Sequence, residues 1–456
     1  MVIYEKKYDV IDLETGRLDP LIFTDEEVYR EELDKIFGRA WVMIGHDTLV
    51  PNRNDFFHTY IGEDPVILTR DANGKLHAFL NVCRHRGARV VRADIGNAPN
   101  FMCAYHGWTY SNQGDLEFVP GEDEAYYRDI DKEELRLVEA KVETYAGIVF
   151  ATWDKGAPTL EAFLGDARWY LDMTFNRLDG GTEAFGPIKW IEPVNWKTAV
   201  DNCSDNYHVP TTHLSAILVG TQMQGLPRLT HQKQFESENK HIFINGHSIT
   251  VRPLEKPDQA RQIHGVTEEN RHLFEDFYRS TFAEAEKRLG SFRAGGLQLG
   301  NHSIFPNGVL GFRLAHPRGP LETEFWHFAL VEKDLPEDLK SSLKRASGNY
   351  NGVTGLFEQD DMDNWRGVTR GSRGSLARAY GQRLSMGVGH EGRNPDLPGI
   401  VSERYVSENN QRHFYRRWEE FMNADSWTDI PLEPITANFE GTATIKGTEI
   451  SQKGTE

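Results

Sequence analysis

At 456 residues the chain exceeds the roughly 250–300 residues at which a single hydrophobic core stops growing, so two domains are expected. Its 39% hydrophobic and 26% charged residues exclude a disordered chain, and a formal net charge of -18 at pH 7 argues against nucleic acid or anionic membrane partners, which require clustered Lys and Arg. The three cysteines, Cys83, Cys103 and Cys203, are an odd number and too few for a disulfide scaffold, so they are read as thiols in a reducing compartment.

The first residues, MVIYEKKYDVIDLETG, carry charges where a secretory leader needs an apolar stretch. No run of about 18 apolar residues occurs anywhere, so a cytoplasmic protein without a membrane span is expected. Residues 1–40 read as a helical lead-in packing with the larger domain, because Val28, Leu33, Ile36 and Phe37 share one helical stripe. Residues 41–155 read as a small all-β domain: short runs such as PVILTR, KLHAFLNV and YAGIVFATW alternate with the turn signals DANG and SNQGD. The acidic stretch GEDEAYYRDIDKEELR within it is expected to be solvated surface.

Residues 156–435 mix longer helical and strand patterns, which predicts an α+β domain with a central antiparallel sheet covered by helices. TEENRHLFEDFYRSTFAEAEKRLG, ended by Gly290, and NQRHFYRRWEEFMN read as helices. HIFINGHSITVR, GVLGFRL and TEFWHFALVEK read as strands. Residues 436–456 have few large apolar side chains and are expected to form a loosely held, flexible tail.

Chemistry concentrates first in Cys83-Arg84-His85-Arg86-Gly87 and Cys103-Ala104-Tyr105-His106-Gly107-Trp108. Two Cys and two His also suit zinc, which is the first rival. Here, however, each loop supplies one sulfur and one nitrogen, whereas a zinc finger groups its cysteines and histidines separately. That order fits a two-iron two-sulfur (2Fe-2S) cluster in which Cys83 and Cys103 hold one iron and His85 and His106 the other. Neutral imidazoles in place of thiolates raise the reduction potential, which makes an easily filled one-electron store. With 17 residues between His85 and Cys103, the two loops resemble the motif of the Rieske ring-hydroxylating oxygenases.

A second cluster lies in Asp201-Asn202-Cys203-Ser204-Asp205-Asn206-Tyr207-His208-Val209-Pro210-Thr211-Thr212-His213. Five helical steps would place His208 and His213 about 140° apart, so Pro210 is expected to bend or end the helix and let both imidazoles meet one ion. Two His and one carboxylate leave coordination positions open on a mononuclear Fe(II), as dioxygen (O2) chemistry requires. The carboxylate is expected from Phe357-Glu358-Gln359-Asp360-Asp361, where residue chemistry alone leaves Asp360 and Asp361 both open. The resemblance implies Asp361.

Asp205 stands three residues before His208, near enough to support its second ring nitrogen. The resemblance further implies that Asp205 bridges His208 to His106 or His85 of a neighbouring subunit. Asn202 and Asn206 depart from the hydrocarbon-oxidising pattern. They either face the substrate, favouring a polar substituent, or turn into a local hydrogen-bond network. Val209 and Phe357 complete the candidate pocket, while Cys203 is read as a small buried hydrophobe and His247, His302 and His316 as structural.

The resemblance spans nearly the whole chain and implies the catalytic alpha subunit of a multicomponent dioxygenase. Such an enzyme adds both atoms of O2 to an aromatic small molecule to give a cis-dihydrodiol. Electrons would come from NADH or NADPH through a separate reductase, directly or by way of a small ferredoxin, since the chain has no Gly-x-Gly-x-x-Gly strand–helix fingerprint of its own. A smaller beta subunit, in a hexamer of three alpha and three beta subunits, is also implied. Arg84, Arg86, Arg89 and Arg92 form a basic strip around the first loop, either a docking surface for an acidic carrier or a frame paired with nearby acids. A Rieske monooxygenase or demethylase uses the same two sites and is the runner-up, and a pure electron carrier is the alternative of another class.

Overall fold

The computed structural model describes residues 7–223, 238–254, 265–309, 311–437 and 445–446. Three small antiparallel sheets make up the first domain. Leu76–Leu80, Asp64–Arg70, Asp55–Ile61 and Ile95–Asn97 form one; Leu116–Phe118, Thr109–Ser111 and Asn100–Met102 form another. The third joins Val42–His46, Ile148–Thr152 and Lys141–Tyr145 to Ile445–Lys446. Side chains alternate across a strand, so Asp55–Ile61 serves two cores. Phe56 enters a core private to this domain, together with Cys83, Cys103, Trp108 and Tyr110. Phe57 enters the core shared with the larger domain, where it meets Trp326 edge to face at 5.8 Å.

The larger domain is built on an eight-stranded antiparallel sheet. Its strand order is Thr182–Glu192, Thr323–Glu332, Arg313–Pro317, Gly308–Val309, Leu297–Ile304, His247–Pro253, Lys240–Ile244 and Ile400–Ser402. The run HIFINGHSITVR is a hairpin rather than one strand, because Asn245 and Gly246 both take positive φ (51° and 98°) and reverse the chain. The segment ending at Gly290 forms two helices, Arg271–Ser280 and Phe282–Ser291, and NQRHFYRRWEEFMN lies in the helix Asn409–Asn423.

Two expectations need correction. Among the described residues the helix of the lead-in is preceded by two short strands, Ile11–Asp12 and Arg17–Leu18, the second of which pairs with Gln382–Arg383. Only then comes the helix Glu26–Glu32, whose N-cap Asp25 accepts from the Glu27 and Val28 amides. The tail is fastened at its start: the amides of Thr436 and Ala437 donate to the Asp166 carboxylate at 2.9 and 3.1 Å, and Ile445–Lys446 pairs with Lys141–Tyr145. The rest of the tail lies outside the described residues.

Glu32, Lys197, Trp196 and Trp418 are all fully buried, and they meet. Lys197 Nζ reaches Glu32 Oε1 at 2.5 Å, Trp418 Nε1 donates to the same oxygen at 2.7 Å, and Trp196 Nε1 donates to Oε2 at 2.8 Å. Burial pulls the Lys197 ammonium below its usual range, and Glu32 partly offsets that pull. Breaking one side of a buried pair strands the other charge. Glu32→Gln should therefore destabilise the fold by about 3–5 kcal/mol in denaturant unfolding, and adding Lys197→Met should recover much of the loss.

Candidate metal centres

The two cysteine loops are built alike. In the first, the Cys83 amide donates to Ala88 O (2.8 Å) and the Gly87 amide to Cys83 O (2.9 Å); in the second, Cys103 donates to Trp108 O (2.8 Å) and Gly107 to Cys103 O (2.9 Å). Each turn closes through a glycine at φ 72° or 75°, a conformation that a side chain disfavours. Both thiols are buried, and burial raises the Cys83 thiol, Cys103 adding to the shift. The imidazoles of His85 and His106 lie 4.6 Å apart, and His85 stacks on Trp108 at 4.9 Å.

Among the described residues His85 Nδ1 is buried without a hydrogen-bond partner, which fits a ring nitrogen reserved for a metal. Two thiols and two imidazoles converging from paired loops fit a 2Fe-2S cluster. Tyr110, which motif reading missed, adds a further group. Its oxygen accepts from the Arg84 amide at 3.0 Å and lies 3.5 Å from Cys83 Sγ, to which the hydroxyl would donate when the sulfur is a metal-bound thiolate.

The second centre forms where the helix Trp196–Asn202 has ended. His208 and His213 flank the four-residue helix Val209–Thr212, His208 just before it and His213 just after. Pro210 therefore does not break a helix. It occupies a first-turn position, where no amide is needed, and the imidazoles converge because the chain leaves helical geometry at His213 (φ -104°, ψ 22°). The helix Glu358–Gly371 brings its acidic first turn against them. Asp361 Oδ1 lies 3.2 Å from His213 Nε2 and 3.8 Å from His208 Nε2, and the three candidate ligand atoms lie within 4.8 Å of one another.

The second ring nitrogens are held by carboxylates, which only accept. His208 Nδ1 donates to Asp205 Oδ1 at 2.8 Å, and His213 Nδ1 to Asp360 Oδ2 at 3.3 Å. Both protons are thus placed on Nδ1, leaving the Nε2 lone pairs aimed at Asp361. The adjacent acids do different work, since Asp361 faces both histidines and Asp360 orients one. Burial opposes charge on His208, yet Asp205, Asp361 and Asp201 raise it above its usual range. Burial likewise opposes charge on Asp361, but His213 and His208 hold it low, with a contribution from Asn202. Among the described residues Asp361 Oδ1 is buried without a conventional hydrogen bond. A pocket that draws positive charge, with two bare imidazole nitrogens and one unsatisfied carboxylate oxygen, fits a mononuclear iron.

Phe357 packs on His213 at 4.8 Å, and Val209 starts the helix between the histidines. The Asn202 Nδ2 is buried beside Asp361 without a well-aligned partner. Asn206, offered as a pocket residue, instead joins a local network: its Oδ1 accepts from the Asn301 amide (3.2 Å) and its Nδ2 donates to Asn239 Oδ1 (3.4 Å). Cys203 is buried, and His247, His302 and His316 are buried imidazoles shifted downward by burial.

Behind the centre, burial pushes the Asp201 carboxyl up to about 7, although the Tyr415 hydroxyl donates to it at 2.7 Å. A carboxyl raised above its unfolded value of about 3.9 stabilises the fold when protonated, and that contribution is lost as pH rises from about 4 to about 7. Denaturant unfolding of the metal-free protein should therefore show a shallower loss of stability across this window in Asp201→Asn than in the parent.

Residues 160–424 match the family described as ring hydroxylating alpha subunit (catalytic domain), and residues 40–145 the Rieske [2Fe-2S] domain. The chain is 40% identical to the biphenyl 2,3-dioxygenase subunit alpha of Rhodococcus jostii (strain RHA1) over 433 residues, covering 92% of each. It is 36% identical to the benzene 1,2-dioxygenase subunit alpha of Pseudomonas putida, covering 92% of this chain and 94% of that one. The fold superposes on naphthalene 1,2-dioxygenase with indole bound in the active site at a TM-score of 0.84 and 31% identity, covering 93% of this chain and 96% of that one. The chain therefore belongs to the Rieske non-heme iron ring-hydroxylating dioxygenases, as an alpha subunit of the kind that carries a two-iron two-sulfur cluster and a mononuclear iron for work on dioxygen.

Proposed function

We propose that the chain dihydroxylates an aromatic hydrocarbon to a cis-dihydrodiol. In this scheme Cys83, His85, Cys103 and His106 hold the cluster, and His208, His213 and Asp361 hold the iron. The observation that carries the proposal is the triangle of His208, His213 and Asp361, whose candidate donor atoms lie within 4.8 Å of one another. Iron there supplies a site at which O2 and electrons meet beside the ring. The chain's own residues do the rest. Asp205 and Asp360 fix the histidine tautomers, Phe357 and Val209 offer apolar surface, and Asn202 places an amide beside Asp361. With the Asn206 amide engaged elsewhere, a substrate without a charged substituent is favoured, in keeping with relatives named for biphenyl and benzene.

Electrons enter through the cluster loops. Arg84, Arg86, Arg89 and Arg92 are exposed, and among the described residues none forms an ion pair, which favours docking of an acidic ferredoxin or reductase over a framing role. Met102 and Tyr105 add exposed apolar surface beside them. Asp205 would then connect His208 to His106 or His85 of the next subunit, in a hexamer of three alpha and three beta subunits. No helix among the described residues is long and apolar enough to cross a membrane, and the three cysteines are free, in keeping with a cytoplasmic setting.

Metal analysis should find about three irons and two acid-labile sulfides per chain, and His208→Ala should lose one iron while keeping the cluster's spectrum. Zinc in place of iron would overturn the assignment. With labelled oxygen, both product oxygens should come from one molecule; a single labelled oxygen would mark a monooxygenase. Arg84→Glu should slow reduction by the carrier about ten-fold at low ionic strength, an effect that fades with added salt. Unchanged kinetics would remove the docking role.

A further inference from the structure

The irregular stretch between Asp201 and Tyr207 is held from the far end of the chain. Tyr405 donates to Asn206 O (2.7 Å), Tyr207 donates to Glu408 Oε1 (3.2 Å), and Asn410 Nδ2 donates to Ser204 O (2.8 Å). Among these contacts one reaches the metal centre through a single intermediate. Gln411 Nε2 donates to Asp205 Oδ2 at 2.7 Å, across 206 residues of sequence, while Asp205 Oδ1 takes both the backbone amide (3.1 Å) and the Nδ1 proton (2.8 Å) of His208.

We propose that Gln411 is a positioning residue for the mononuclear iron, acting through Asp205 on His208; the proposal rests on His208 being an iron ligand. The orientation of the amide is set by its surroundings. Its hydrogen-bond partners, Asp205 Oδ2 and the main-chain oxygen of Asp201 at 3.5 Å, only accept, so the NH2 end must face them. Gln411 is buried, and its Oε1 has no hydrogen-bond partner among the described residues. Packing alone gives no reason for that arrangement, since a leucine would fill similar space without burying an unpaired acceptor. What the amide supplies is a donor to Asp205.

The consequence follows from the shape of a carboxylate. Anchored at Oδ2, Asp205 cannot turn about its Cβ–Cγ bond without giving up a buried, charge-assisted hydrogen bond. Oδ1 is thereby kept on the His208 Nδ1 proton, and the His208 Nε2 lone pair stays directed at Asp361. Without the amide, Oδ2 loses the one side-chain donor that its own chain supplies among the described residues, and the carboxylate is freer to rotate. Rotation frees the His208 ring.

The full-length holoenzyme tests this through iron retention against a chelator, with the cluster spectrum as an internal control. Gln411→Leu should keep the cluster and weaken mononuclear iron binding about 10- to 100-fold. Gln411→Glu has the same shape but donates only when protonated. Its iron affinity should fall further below that of the parent as pH rises from 5 to 8, roughly the window in which such a buried carboxyl ionises. A residue that merely fills space predicts a constant ratio of the two affinities. Parent-like iron binding in Gln411→Leu, or a ratio for Gln411→Glu that does not change with pH, overturns the proposal. Should the leucine variant fail to fold, the pH dependence of the glutamate variant decides. His208→Ala separates the two levels: if it too retains the third iron, the ligand assignment is at fault, and if it alone loses that iron, only the role of Gln411 fails.

Discussion

A buried carboxylate must find donors, and Glu32 finds three of them on two other helices. Lys197 and Trp196 come from the helix that leads into the metal motif, and Trp418 from the helix Asn409–Asn423. An isolated ionised group in that position would be too costly, so the three helices fold in one relative register or not at all. The rigidity of the metal centre begins there. With Trp196 and Lys197 locked, the end of their helix at Asn202 is fixed in space, and so is the point from which Asp205 and His208 project.

Beyond that point the chain is irregular, and irregular buried backbone must find partners outside itself. The segment from Tyr405 to Tyr415 provides them for the main-chain oxygens of Ser204 and Asn206, and it also holds the side chains of Asp201, Asp205 and Tyr207. Such a design suits a metal centre with few ligands and an open side. A regular helix could not bring His208 and His213 together, whereas a loop clamped by distant side chains can, and the clamp supplies the precision that loops ordinarily lack.

The two centres solve opposite problems. The cluster loops sit at the edge of small sheets, with the thiols in a private core and the His85 and His106 rings near the surface, so that electrons can arrive from another protein. The candidate iron ligands are backed by acids, and the half-buried Phe357 packs against His213. The domains nonetheless share one core, because the strand Asp55–Ile61 sends Phe56 and Phe57 to opposite faces. Neither centre can shift far relative to the other within one chain.

Chemistry confined to a few consecutive residues was legible without coordinates. The paired Cys and His loops and the two-domain α+β plan follow from local spacing and strand periodicity, which depend on neighbours in the chain, and the family follows from the resemblance of those loops to a known motif. His208 and His213 were also visible as a pair, although their convergence was ascribed to a helix broken at Pro210 when the proline sits comfortably in a first turn. The rest was decided by tertiary structure. Asp360 and Asp361 are adjacent acids with the same chemistry, and only the docking of the helix Glu358–Gly371 turns one toward both histidines and the other toward a single ring. Gln411 and Glu32 carry no motif at all, since a hydrogen bond spanning 206 residues or a buried charge shared among three helices has no period and no spacing for a sequence to display.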